Sequence, residues 1–140
     1  MRRHQPAEAT AATSVADTKD VVRRLIADVM NGGRLEAIDE LYSPSAARGA
    51  RRWITPFRTS FPDMHMEIVE LIAEEQTVVG RFRCSGTHLG PWQGRPPTGR
   101  RFENVDEVSI FRIAGGRITE AWGLEDTLSR LRQLDMLPRR

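Results

Sequence analysis

Apolar and polar positions along this chain follow two regimes, helical spacing in the first half and two-residue alternation in most of the second. Val21, Val22, Leu25, Ile26 and Val29 recur at the spacing of one helix face, with Asp17 or Thr18 as the cap. Asn31-Gly32-Gly33 stops that helix, because glycine readily takes the left-handed conformation of a C-terminal cap. A second helix, from Leu35 to Leu41 or Tyr42, buries Leu35, Ile38 and Leu41. It ends at Ser43-Pro44, since the residue before a proline avoids helical dihedrals. Residues 45–61 are arginine-rich and ambiguous; Trp53, Ile54 and Phe57 predict a short helix over Ala50–Ser60, broken at Phe61-Pro62-Asp63.

Alternation then predicts strands at Met64–Ile72 and Thr77–Thr87, joined by a polar turn at 73–76. A second hairpin pairs Phe102–Ile113 with Arg117–Trp122 through Ala114-Gly115-Gly116. A last helix, Asp126 to Leu134, is expected to place Leu128, Leu131 and Leu134 on one face. Helices first and an antiparallel sheet afterwards give an α+β layer arrangement, a curved sheet wrapped over N-terminal helices and enclosing a pocket. The run GTHLGPWQGRPPTGRRF, Gly86 to Phe102, interrupts the strands with Pro91, Pro96, Pro97 and four glycines. It is either a rigid connection whose Trp92 plugs the core or a loop shaped for function, with His88, Trp92 and Gln93 exposed to a ligand.

With 140 residues the chain is read as one domain, 17–140, behind an Ala/Thr-rich mobile tail, 1–16. A net charge of +2 and scattered arginines, with Lys19 the only lysine, argue against a nucleic-acid surface. The single cysteine, Cys84, excludes an internal disulfide and a Cys-based zinc site, and its strand context predicts a buried small hydrophobe. No apolar run is long enough to span a membrane, and the arginines at the N-terminus precede no apolar segment, so a cytoplasmic protein is expected.

None of the short strings of hydrolases, P-loop enzymes, dinucleotide binders or zincins is present. His4, His65 and His88 are too scattered for a metal, and none is assigned. His4 falls in the tail, and His65, at a strand start, reads as structural or surface. Chemistry must then come from carboxylates, His88 and aromatic walls converging on a pocket.

Five blocks carry a resemblance: NGGRLEAIDELYSP, FPDMHMEI, GTHLGPWQGRPPTGRRF, FRIAGGRITEAW and LRQL. In order and spacing they resemble the SnoaL-like polyketide cyclases, within the nuclear-transport-factor-like superfamily, over about Asp20 to Leu134. The resemblance implies a cone-shaped, cystatin-like α+β barrel with a pocket for a flat polycyclic aromatic polyketide. It also implies a homodimer or homotetramer formed through the outer sheet face, and no metal or organic cofactor. In the antibiotic cyclases of this family, ring closure is an intramolecular aldol condensation, with an aspartate on the last strand as acid/base and a facing histidine on the strand before it. Aligned without gaps, those positions fall on Gly123 and Ser109, and neither side chain is a useful base.

Other residues are available. If Val105, Glu107, Ser109 and Phe111 share the face that the family turns inward, Glu107 becomes a carboxylate in an apolar cavity, where burial raises its pKa toward the range of a useful acid or base. The alternative for Glu107 is an outward, solvated side chain. Asp126 matches a recurrent acidic position at the start of the final helix, where it serves catalysis or caps the helix. His88 matches a histidine of the cyclases and is placed to hydrogen-bond a substrate carbonyl from the same cavity. Trp92, Ser109, Phe111, Trp53 and Phe57 are taken as substrate-lining, whereas Glu120 and Trp122 alternate away toward packing or an interface.

Three other activities accompany the resemblance. Related members are cofactor-independent hydroxylases of anthracycline-like polycycles, some working with a reductase partner, and these need a base and a dry pocket. Superfamily epoxide hydrolases need an Asp-Arg-Asp cluster with a positioned water, for which Arg81 or Arg83 could supply the cation but the two partner carboxylates are not evident. A non-catalytic small-molecule-binding protein is the reading from a different class.

Overall fold

The structure, a computed structural model, describes residues 14–137. Ser14 caps the first helix, its Oγ accepting from the Asp17 amide at 3.1 Å while the Ser14 amide donates to Asp17 Oδ2 at 3.2 Å. The cap is therefore Ser14 rather than Asp17 or Thr18, and residues 14–16, read as tail, open the fold; the rest of that tail, 1–13, lies outside the described residues.

Helix α1 (Val15–Arg24) runs on into a wider, π-type stretch at Leu25–Asn31, which buries Leu25, Ile26, Val29 and Met30. Asn31 ties its end to the sheet: Nδ2 donates to the Met66 carbonyl at 3.0 Å, and Oδ1 accepts from the Met66 amide at 2.7 Å. A 3₁₀ turn (Leu35–Ala37) leads into α2 (Ile38–Leu41), which ends at Ser43-Pro44 as the proline predicts. The same proline opens helix α3 (Pro44–Ser60), where its fixed φ and missing amide suit the first helical position. α3 thus begins at Pro44 and not at Ala50, its inner face built early on from Ala47 and Ala50, which give a weak periodic signal. Pro56 lies inside α3, so the Arg52 carbonyl loses its usual helical donor.

Strands β1 (His65–Glu74), β2 (Thr77–Thr87), β3 (Arg101–Ala114) and β4 (Arg117–Glu125) form one antiparallel sheet in that order. Register shifts between Ile68 and Glu70, Cys84 and Gly86, and Arg112 and Ile113 add the local twist and bend that curve it. Gly115 and Gly116 turn the β3–β4 hairpin at φ +59° and +76°, a pair of conformations that side chains resist. Helix α4 (Thr127–Gln133) closes the open end, but its inner face differs from expectation. Leu134 is buried and Leu131 partly so, whereas Leu128 is exposed and Arg130 is fully buried.

The loop between β2 and β3 is fastened along its length. The amides of Leu89 and Gly90 donate to the Ser60 carbonyl at 3.0 and 3.1 Å, and Arg95 Nη1 donates to the Met136 carbonyl at 2.6 Å. Gly90 packs so tightly on α3 that a Cβ there would lie 2.3 Å from the Thr59 carbonyl oxygen. Phe61, fully buried, gathers the rings of Phe57, Trp92 and Phe102 at centroid distances of 4.8, 5.3 and 5.0 Å. Among the described residues no helix is long and apolar enough to cross a membrane.

Candidate active site

The inner face of the β3–β4 hairpin forms one wall of a cavity. Cross-strand partners share a face, and the register pairs Phe111 with Ala121, Ser109 with Gly123, and Glu107 with Glu125. All six line an inner lobe of about 350 Å³, together with Leu25, Ile26 and Met30 from the widened end of the first helix, Tyr42 and Phe82. An adjoining outer lobe of about 420 Å³ lies between α3 and the β2–β3 loop, lined by Arg52, Pro56, Phe57, Trp92 and Gln93. Met30, Trp53, Glu107 and Glu125 belong to both lobes, so the two carboxylates sit where the lobes meet. Spaces of this size suit a drug-sized ligand.

Arg130 reaches the carboxylates from α4. Its Nη1 donates to Glu125 Oε2, and its Nη2 lies 3.3 Å from Glu107 Oε2. The guanidinium has no solvent exposure and is surrounded by rings, with Phe102, Phe57 and Trp92 centroids at 4.7, 5.0 and 5.8 Å. Those aromatic faces favour the cation where water cannot reach it. Burial, with the charge of Glu125 beside it, pushes the Glu107 carboxyl up to about 7, against the opposing pull of Arg130. Cys84, the expected buried cysteine, abuts the same cluster, and burial together with the charge of Glu107 raises its thiol to about 12. It therefore stays a protonated, weakly nucleophilic wall.

Of the residues singled out from sequence, the cavity brings together Glu107, Ser109, Phe111, Trp53, Phe57 and Trp92. Two others lie elsewhere. His88, expected on the cavity wall, is fully buried behind it: the Thr98 amide donates to its Nδ1 at 3.1 Å, and its ring packs on Phe61. Burial lowers its pKa and favours the neutral ring, a structural post for the loop. Asp126 accepts from the Ser129 amide at 3.0 Å and caps α4, the alternative role anticipated for it. Arg81 and Arg83 pair with Asp106 at 3.3 and 3.7 Å on the outer face; the arginine that sits between two carboxylates is Arg130, and its partners are glutamates, not the aspartates of an Asp-Arg-Asp cluster. Sequence reading missed Arg130, Glu125 and Tyr42. The signal for Arg130 was indirect: two inward acids on paired strands need a cation, and Arg130 lies on the short helix that begins two residues after Glu125.

Among the described residues no three His, Cys, Asp or Glu side chains gather closely enough to hold a metal ion. What the cluster supplies is a carboxyl poised near neutrality, a second carboxylate, and a hydroxyl donor at Ser109 along the same face.

A family model for SnoaL-like polyketide cyclases matches residues 20–134. The chain belongs to this family. Aklanonic acid methyl ester cyclase DnrD of Streptomyces peucetius is 31% identical over 124 residues, covering 88% of this chain and 83% of DnrD. TsrD of Streptomyces laurentii superposes with a TM-score of 0.80 at 27% identity, over 89% of this chain and 98% of its own. AclR of Streptomyces galilaeus, a candidate hydroxylase, gives a TM-score of 0.80 at 26% identity, over 91% of this chain and 86% of its own. In this fold Ser109 stands opposite Gly123, and the Glu107–Glu125 pair lies one same-face step away.

Proposed function

We propose that this protein is an acid/base enzyme closing a ring in an aromatic polyketide, with Glu107 as the catalytic residue. The observation that carries the reading is the Glu107 carboxyl, raised toward 7 in the wall of an apolar cavity and held by Arg130. In its ionised form Glu107 takes a proton from the carbon next to a carbonyl. The Ser109 hydroxyl, on the same strand face, donates to the developing enolate oxygen. The enolate carbon then bonds to a second carbonyl of the same molecule, and Glu107 returns its proton to the new alkoxide. Substrate and product therefore have equal mass unless water is lost afterwards. Arg130, fully buried, is a positioning residue: it holds both carboxylates and keeps Glu107 from rising out of the useful range.

Likeness to AclR favours a second reading on the same base, deprotonation of an electron-rich phenol whose ring carbon adds dioxygen, two electrons from a reductase partner then cleaving the O–O bond to leave the hydroxylated ring and water. One experiment separates the two. Aerobic incubation with aklanonic acid and with its methyl ester, and with an anthracycline-type phenol plus a two-electron reductant, is followed by mass spectrometry. An isomer or its dehydration product supports ring closure, a gain of one oxygen supports hydroxylation, and saturable binding without turnover supports the binding protein.

A homo-oligomer through the outer sheet face completes the reading. Ile72, Val108, Trp122 and Leu124 are exposed there, and Val108 and Leu124 face each other across the strands. Leu124→Glu should leave the protein folded but shift its mass in light scattering to that of a monomer; an unchanged mass would remove this face from consideration.

A further inference from the structure

The outer lobe carries a cation that the fold does not use. Four arginines lie along α3, and three of them are otherwise accounted for. Arg51 pairs with Asp39, Arg58 donates to the Met30 carbonyl at 3.0 Å, and Arg48 is exposed away from either lobe. Arg52 makes no hydrogen bond or ion pair among the described residues, yet it lines the outer lobe. Helical spacing sets Arg52 on the same side of α3 as Pro56, one turn on, and Gln93 reaches the lobe from the β2–β3 loop. The lobe therefore has a guanidinium and an amide toward solvent, indole rings along its walls, and the Glu107–Glu125 pair at its inner end.

That polarity has a consequence for the ligand. The inner end offers an anion no free cation, because the single guanidinium of Arg130 is committed to two carboxylates and closed to solvent. An acidic group on a substrate is welcome only at the opposite end. We propose that Arg52, with Gln93 lining the same lobe, is a carboxylate-recognition site. It would hold the acid end of an aromatic substrate at the mouth and direct the other end of the ring system toward Glu107. A planar guanidinium is suited to this, because it offers paired donors to the two oxygens of a carboxylate. The proposal rests on the cavity being the substrate site, as inferred above, but not on which reaction occurs there.

The test uses anthraquinone-2-carboxylate and its methyl ester as probes, with binding read from quenching of the protein's tryptophans, two of which, Trp53 and Trp92, line the lobe. The wild-type protein should bind the acid about tenfold more tightly than the ester, the worth of one charge-assisted hydrogen-bonded contact. Arg52→Gln should abolish that preference by weakening the acid alone. Arg48→Gln, which removes the same charge from the same helix, should keep it. Equal affinity for both probes in the wild type, persistence of the preference in Arg52→Gln, or its loss in Arg48→Gln would each overturn the site. Quenching by neither probe would sink the cavity reading together with the proposal. Glu107→Gln separates the two ideas: it should retain the acid preference even if it abolishes turnover, and retained turnover would refute the reaction while leaving the recognition site standing.

Discussion

Glu107 stands directly opposite Glu125 across β3 and β4, and one guanidinium, that of Arg130, holds both carboxylates from the last helix. Like charges in facing positions of a sheet normally destabilise it, so the pair depends on the buried cation and on a proton held by Glu107 near neutrality. Several measurable properties follow from this dependence.

Glu107→Gln keeps the shape and a hydrogen-bonding terminus but cannot exchange a proton at neutral pH. The variant should fold and bind ligand normally while kcat falls by about 10²–10⁴, the usual worth of a positioned acid or base. Unchanged turnover would remove Glu107 from the mechanism.

Asp126 gives the opposite expectation. Asparagine caps a helix as well as aspartate, so Asp126→Asn should leave both melting temperature and turnover near wild type. Asp126→Ala should cost about 0.5–2 kcal/mol of stability, measured by denaturant titration, without a specific loss of kcat.

The raised Glu107 pKa makes stability depend on pH in a defined direction. Between the ordinary carboxylate value of 4.5 and about 7, the folded protein retains a proton that the unfolded chain has released. The contribution is complete below 4.5 and lost as pH rises through 7, about 3 kcal/mol in all. Urea titrations of wild type and Glu107→Gln across pH 5–8 should show the gap between them narrowing or reversing as pH rises.

Arg130→Met keeps the bulk and the apolar contact with the rings but leaves two facing carboxylates without their cation. It should destabilise the protein by about 3–5 kcal/mol at pH 8 and by less at pH 5, where protonation relieves the repulsion. Arg130→Lys should rescue only part of this, because an ammonium cannot present two separate donor nitrogens to Glu107 and Glu125.

Two glycines test how firmly the long loop is seated. Gly90→Ala would drive a methyl group against the Thr59 carbonyl and should cost about 1–3 kcal/mol. Gly49→Ala, on an open stretch of α3, should instead add about 0.5–1 kcal/mol through helix propensity. Thermal denaturation of the two variants makes the comparison.

Most of the architecture was legible because each element carries its own local signal. Asn31-Gly32-Gly33 and Gly115-Gly116 announce stops and turns through backbone freedom, and alternation on β3 turned Glu107, Ser109 and Phe111 to one face. The α3 start was obscured because alanine at positions 47 and 50 fills a close helix contact without looking hydrophobic. His88 was misplaced since a titratable ring in a loop reads the same whether it meets a ligand or the back of an aromatic cluster. Arg130 was invisible for a different reason: nothing local marks a buried arginine, and its place on α4 depends on carboxylates from two strands and three rings from elsewhere in the chain.

Asn31 has a role beyond ending a helix. By answering both the amide and the carbonyl of Met66, its side chain behaves like one residue of an extra strand laid along the outer margin of β1. On the far margin, the Ser43 amide donates to the Ile118 carbonyl of β4 at 2.9 Å. Each side of the sheet is thus blunted at one point by a contact from the helical layer, which hinders another chain from adding its own strand there and extending into an aggregate. Replacing Asn31 with alanine would reopen the β1 margin, and the first sign should be loss of solubility rather than loss of catalysis.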